Sequence, residues 1–239
     1  VTFYEIKKGN DSVTLIEPSK YPDKLSSLFY AASMSEYAIL VVDAMDARLG
    51  ETIVMLDSVG LNKGWIVLRN FIQKEQLDPL LAGTCLADYG HIEDDAVKTR
   101  EMLISFAGTL SKVPGEGSRG SCPVDSHFNV KGVGTVVLGS VIDGYFRKHD
   151  KMRVLPLDKE VVLKSIQKHD IDADFAYQGD HVGLALRGID SDELDRGYVL
   201  TTDGSVKMTR SVSGRARMVK FWPSPVKEGM VLHVGHWMQ

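Results

Sequence analysis

The sequence predicts an α/β unit built on an incomplete parallel sheet, then a small all-β barrel, then the first strands of a further β domain. Three observations carry this. Strand-like and helix-like segments alternate through the first half. A Gly-, Ser- and Pro-rich stretch from Lys112 to Ser121 breaks that alternation. Beyond it come short strand-like runs separated by Gly and Asp, with no helical period of useful length.

The elements follow in order. Val1 to Ile6 and Val13 to Ile16 alternate apolar and polar, and Lys7 to Ser12 has a hairpin-turn composition. Asp23 to Met34 reads as a helix with Leu25, Leu28, Phe29 and Ala32 on one face. Ala38 to Asp43 is a continuous apolar run ending in an acid, as buried parallel strands often do. Gly50 to Val59 reads as helix, Gly64 to Arg69 as a second buried strand, and Thr84 to Ala87 as a weaker third that buries an inert Cys85. Asp94 to Leu110 is a long amphipathic helix with Asp94 as its N-cap.

In the second half, strands are expected at Asp125 to Val130, Gly134 to Val141, Met152 to Leu155, Glu160 to Lys168, Val182 to Leu186 and Tyr198 to Thr201. Arg215 to Phe221 and Met230 to His233 would open the next β domain. The expected boundaries are residues 1–112 for the α/β domain, 113–122 for the linker, 123–204 for the barrel and 205–239 for the start of a second barrel.

Bulk properties exclude several classes. A chain of 239 residues exceeds one ordinary core and fits two domains. Hydrophobic content of 44% and charged content of 25% are those of a soluble globular protein. No apolar run approaches the roughly 18 residues of a membrane span, and the start lacks the basic region of a signal peptide. Two cysteines make no disulfide framework, so a cytoplasmic location is expected. The chain starts at Val1 without Met and both ends fall within strand-like runs, which suggests an excerpt of a longer protein.

Net charge is −4, but from Ser205 onward six basic residues face Glu228 alone. A basic end on an acidic body points to a polyanion contact, against the alternative of a solvated strand face. Lys148, His149, Lys151 and Arg153 make a smaller basic group, read as a solvated turn. His233 and His236 flank Gly235 with no third ligand nearby, so no metal site is expected.

Three ordered signatures give the barrel a family resemblance. Pro123 to Gly139 reads PVDSHFNVKGVGTVVLG, Gly179 to Ile189 reads GDHVGLALRGI, and Asp195 to Leu200 reads DRGYVL. Together they resemble domain two of the elongation-factor-Tu-like translational GTPases, with details similar to the selenocysteine-specific (SelB-like) factors of methanogenic archaea. The first domain resembles the family's G domain more faintly, through Val13 to Val42. The resemblance therefore implies a P-loop-type G-domain-like α/β unit followed by barrels.

Compared with that family, the nucleotide motifs are degenerate. Asp-x-x-Gly-His corresponds to Glu17-Pro18-Ser19-Lys20-Tyr21, so Lys20 stands where a glycine amide would meet the γ-phosphate and Tyr21 where a histidine would position water. Asn-Lys-x-Asp corresponds to Arg69-Asn70-Phe71-Ile72, and Ile72 accepts no hydrogen bond from guanine. No G-x-x-x-x-G-K-[ST] loop occurs in the chain. Phosphoryl transfer needs a phosphate cradle, magnesium and an oriented water. The expectation is weak or absent GTP binding, no useful hydrolysis and no catalytic residue. The opposing reading is a divergent GTP/Mg2+ site in which Lys20 supplies charge and Tyr21 orients water.

The resemblance also implies that the barrel holds the aminoacyl end of a transfer RNA, on positions that map to Asp125, Ser126, Phe128, Leu138 and His181. An acid suits an α-amino group, and an aromatic ring suits a base or an aminoacyl side chain. Ser126 offers no basic group for a selenolate, which leaves a larger, less charged aminoacyl group, with pyrrolysine as one candidate. Against this stand the readings of Phe128 as barrel packing and His181 as a structural histidine. The expected partners are aminoacyl-tRNA and the ribosome, without membrane or DNA, for a monomer. The rival class is an RNA- or ribosome-binding module without nucleotide chemistry.

Overall fold

The structure is a computed structural model that describes residues 1–9, 11–110, 119–168, 170–216, 218–219 and 225–230. The described residues divide into two compact units, one built on residues 1–110 and one on residues 119–214.

The first unit starts with an antiparallel hairpin of β1 (Thr2–Lys8) and β2 (Asp11–Glu17). Helix α1 (Leu25–Ser33) follows. Then β3 (Ala38–Val42), β4 (Gly64–Leu68) and β5 (Gly90–Ile92) form a parallel sheet in that order, joined through α2 (Ala47–Val59) and α3 (Lys74–Leu81). Helix α4 (Ala96–Ala107) comes last. Leu40, Val42 and Ile66 of the sheet bury against Leu49, Ile53 and Leu56 of α2 and Leu77 and Leu81 of α3. This is the one-sided apolar stripe of an α/β layer. Phe106 of α4 packs edge-on against Trp65 and Tyr37. Asp46 caps α2 by accepting from Leu49 N, and Gly60 closes it in the left-handed conformation.

Three expectations need correction here. Thr84 to Ala87 is a turn, in which Thr84 Oγ1 donates to Leu81 O and accepts from Leu86 N. The third parallel strand is β5, only three residues long. Asp95, not Asp94, caps α4 by accepting from the Val97 and Lys98 amides. Helix α3 was not expected, because charged residues and Pro79 hide its buried Leu77 and Leu81.

The second unit is a closed barrel. Its strands are β6 (Ser121–Val130), β7 (Gly134–Ser140), β9 (Lys151–Leu155), β10 (Lys159–Lys168), β13 (His181–Arg187) and β14 (Val199–Thr201). They pair in the cycle β10-β13-β7-β6-β14-β9, and β9 returns to β10. Closure leaves the six without a free edge. A short strand β11 (Ile171–Ala173) extends β10, while β8 (Tyr145–Arg147) and β12 (Phe175–Tyr177) pair separately. The interior holds Val124, Val137, Phe146, Met152, Leu163, Ile166, Leu184 and Leu200, all essentially fully buried. Burying each large side chain stabilises by about 1.5–3 kcal/mol before entropy is counted.

Cys122 belongs to this core and not to a linker: it lies in β6 and is fully buried. Gly139 is required by packing, since a Cβ there would sit 2.3 Å from Pro123 O. Of the strands expected after Ser205, residues 215, 216, 218, 219 and 230 are in no strand, and the rest lie outside the described residues. His233 and His236 also lie outside them. Among the described residues no helix is long and apolar enough to cross a membrane, and no cluster of metal-ligating side chains occurs.

Candidate functional site

The degenerate nucleotide positions of the first unit are tied into local contacts. Glu17 ends β2, and its carboxylate accepts from Tyr4 Oη at 2.9 Å. The Lys20 amide donates to Ser27 Oγ at 3.3 Å. Tyr21 donates its hydroxyl to Arg48 O at 3.0 Å, and burial raises its pKa. Arg69 makes two hydrogen bonds to Asp94, at 2.9 and 2.7 Å, linking the segments that follow β4 and β5. Those bonds hold the Asp94 carboxyl below the usual carboxylate range. Asn70 Nδ2 donates to Asp43 O at 2.8 Å. Ile72 turns inward and packs against the α/β core.

Asn70 and Phe71 both adopt positive φ, 52° and 60°, and the Phe71 ring is 97% exposed. A bulky residue in that region is strained, and this ring gains no burial in return. The tight turn closes through Ile72 N donating to Arg69 O.

In the barrel, strand register brings most of the expected positions onto one outward face. Ser126 of β6 lies opposite Leu138 of β7, and Leu138 lies opposite Gly183 of β13. Gly183 in turn pairs with Gln167 of β10. One step along, Phe128, Val136, Ala185 and Ser165 form a parallel row. His181 opens β13 opposite Ser140. The alternate residues Val137, Val182, Leu184 and Leu186 face the core, so these rows lie on the opposite face, where Ala185 and Ser140 are covered by their neighbours. Phe128 is 42% exposed, which removes the reading of it as core packing. Gly183 carries no side chain, and Leu138 Cδ2 comes within 3.5 Å of where its Cβ would stand.

Asp125 differs from the other four. It sits at the β-bulge between Val124 and Ser126, and Arg196 meets its carboxylate at 2.6 Å. Its charge is therefore already compensated, and an α-amino group would have to share it with the guanidinium. Sequence reasoning missed Arg196, Gly183, Gln167 and Val136 as neighbours. Val136 was accessible from the alternation along β7, but the others follow only from cross-strand register. His127 faces Ser191, with Nδ1 3.0 Å from its Oγ. The basic group at residues 148–153 is largely engaged: Lys151 pairs with Glu160, and Arg153 with Asp158 and the Val206 carbonyl.

A cavity of about 300 Å3 opens where β7 begins and β13 ends, lined by Asn129, Gly134, Lys164 and Arg187 among others. None of the five expected residues lines it.

Comparison with known proteins agrees with this architecture. The family model of elongation factor Tu domain 2 matches residues 134–201. An uncharacterised protein of Methanocaldococcus jannaschii is 37% identical over 229 residues, covering 96% of this chain and 73% of that protein. The selenocysteine-specific elongation factor of the same organism is 27% identical over 241 residues, covering 93% and 51%. Translation elongation factor SelB from Methanococcus maripaludis, solved with the GTP analogue GppNHp, gives a TM-score of 0.70 at 25% identity, covering 85% and 49%. The chain thus spans about half the length of these two selenocysteine-type factors. Taken with the closed barrel and the parallel sheet, these matches show that the chain belongs to the elongation-factor-Tu-like family of translation factors, in its SelB-like branch.

Proposed function

We propose that this translation factor holds the aminoacyl end of a charged transfer RNA on the outward face of its barrel, without a guanine-nucleotide switch. The observation that carries the first half is the exposed Phe128 ring beside the outward row Ser126–Leu138–Gly183. An uncharged row beside an exposed ring suits a base or a bulky, weakly charged aminoacyl group. Neither Ser126 nor Leu138 carries charge, which favours a group such as pyrrolysine over a selenolate. Arg196 and Asp125 would supply the polar end of the contact.

The second half rests on the occupied motif positions. The Lys20 amide is engaged by Ser27, Ile72 is turned into the core, and Arg69 is held by Asp94. These residues do not fit a guanine nucleotide with its magnesium, so no step is derived through one. The Tyr21 hydroxyl donates to Arg48 O, which ties the side chain to the first turn of α2. The same observations support a second reading, an RNA- or ribosome-docking module without nucleotide chemistry. A cytoplasmic monomer that meets the ribosome fits either reading.

Protection of the aminoacyl ester from hydrolysis tests the proposal. Several charged transfer RNAs are incubated with the protein, and deacylation is followed in time. Slower deacylation of at least one supports the first reading. Protection of none, with uncharged transfer RNA bound equally well, leaves the docking module.

A further inference from the structure

The cavity at the start of β7 and the end of β13 shares no residue with the aminoacyl face. Lys164, Arg187 and Asp190 give its lining charge, while Val133, Leu186 and Ile189 are apolar. Its walls follow from strand geometry. Strands β7 and β13 pair as far as Thr135 and Leu186. The glycines next to that last pair, Gly134 and Gly188, both have φ of 103°, a region that residues with side chains avoid. The wall is therefore bare backbone at both positions. Thr135 Oγ1 donates to Ile189 O at 2.8 Å and ties the start of β7 to the segment after β13.

A β-bulge places Lys164. The register of β10 on β13 shifts between Leu163 and Ser165, so Lys164 is the extra residue. Leu163 and Ile166 stay in the core while Lys164 is exposed, as bulges re-aim a side chain. Its ammonium donates to Val133 O at 3.0 Å, which holds it at the cavity and leaves two N–H groups for another acceptor. Arg187 ends β13 and is exposed, and its guanidinium has no partner among the described residues. Asp190 is the acid of the lining. The acids beside it are already compensated, Glu193 by Lys159 at 2.7 Å and Glu160 by Lys151 at 3.1 Å. Lys131 and Asp192, one of each sign, are close in sequence but do not line the cavity. Two cations thus face one carboxylate.

We infer that this cavity binds a small phosphoester, with its phosphate oxygens on Lys164 and Arg187 and its organic part against Val133, Leu186 and Ile189. A phosphate monoester brings close to two negative charges and three acceptor oxygens, so it can meet cations from two strands at once. A carboxylate brings one charge and two oxygens, and Asp190 leaves less for it to gain. A volume of about 300 Å3 is at the small end of ligand sites, which suits one compact molecule rather than the track of a polynucleotide. The bare backbone at Gly134 and Gly188 lets such a molecule approach closely. The inference goes beyond the aminoacyl face and does not rest on it.

The test is a titration of the whole chain with phenyl phosphate, read from the amide signals of Gly134 and Gly188 in nitrogen-15 NMR spectra. Inorganic phosphate and benzoate serve as comparisons. Phenyl phosphate should shift both amides and bind more tightly than either comparison, because it alone uses both the cations and the apolar wall. Arg187→Gln and Lys164→Gln should each weaken it roughly 10- to 100-fold, the loss of a hydrogen bond to a charged group. Arg187→Gln, at an exposed position without a partner, should leave the melting temperature unchanged, and Arg187→Lys should keep part of the affinity. Unmoved glycine amides, equal affinity in Arg187→Gln, or tighter binding of benzoate would each overturn the inference. So would a single-stranded RNA that depends on Lys164 and Arg187 while phenyl phosphate fails to compete with it, since the cations would then serve a polynucleotide. Phenyl phosphate carries no amino acid, so failure here is distinguishable from failure of ester protection.

Discussion

Arg69 and Asp94 join the turn after β4 to the turn after β5 through two hydrogen bonds of 2.9 and 2.7 Å. Family resemblance sets the first of these turns, Arg69 to Ile72, at the place of a guanine-contacting motif, and here it is fastened to the second. Both side chains are about half exposed, so the pair is screened and contributes little to global stability. Its pH signature has a definite sign. The folded carboxyl of Asp94 titrates below its unfolded value. Its contribution is therefore present above the ordinary aspartate range and is lost as pH falls through the lowered folded pKa. Asp94→Asn should lower the denaturation midpoint slightly at pH 7, and that difference should shrink in strong acid.

Phe71 offers a cleaner stability test. Its φ of 60° is strained for a bulky side chain, and its ring is almost wholly exposed. Phe71→Gly should raise stability by about 1 kcal/mol, because relief of left-handed strain outweighs the entropy of a freer unfolded chain. Urea denaturation at constant m-value measures this. A loss of stability would mean that the ring makes contacts that matter.

The two barrel glycines should behave oppositely. Gly183 has ordinary φ and room for a Cβ, so Gly183→Ala should leave stability unchanged or improve it by about 0.5 kcal/mol. The same change adds a methyl group beside Leu138 on the outward row and should weaken aminoacyl-tRNA binding. Gly139→Ala drives a Cβ into Pro123 O and should cost about 1–3 kcal/mol or more. Thermal melts paired with ester protection separate the two effects.

Cys122 should be chemically silent. Complete burial in the barrel pushes its thiol up to about 12, leaving very little thiolate at neutral pH. A disulfide reagent should modify it only as fast as the barrel unfolds. Rapid modification at pH 8 in the folded protein would contradict its placement in the core.

Much of this architecture was legible in the sequence, for identifiable reasons. The β1–β2 hairpin, β3, β4 and five of the six barrel strands have long enough runs to show, while β14, only three residues long, was reached through the Asp195 to Leu200 signature. Strand β5 and the short pairs around β8, β11 and β12 span three residues each, too few for any period. Cys85 misled because an apolar triplet resembles a strand, whereas the local hydroxyl of Thr84 closes a turn. At the candidate site, Ser126, Phe128 and Leu138 came from resemblance, and their common outward face came only from register. The Asp125–Arg196 pair spans 71 residues of sequence, and no local pattern announces it.

The most direct measurement is ester protection of charged transfer RNAs with and without a non-hydrolysable GTP analogue. We expect protection of at least one, unchanged by the analogue and reduced about tenfold by Phe128→Ala, the loss of roughly one stacking contact. Protection that appears only with the analogue would contradict the nucleotide-independent reading. Protection unaffected by Phe128→Ala would contradict the placement of the aminoacyl end on the barrel face.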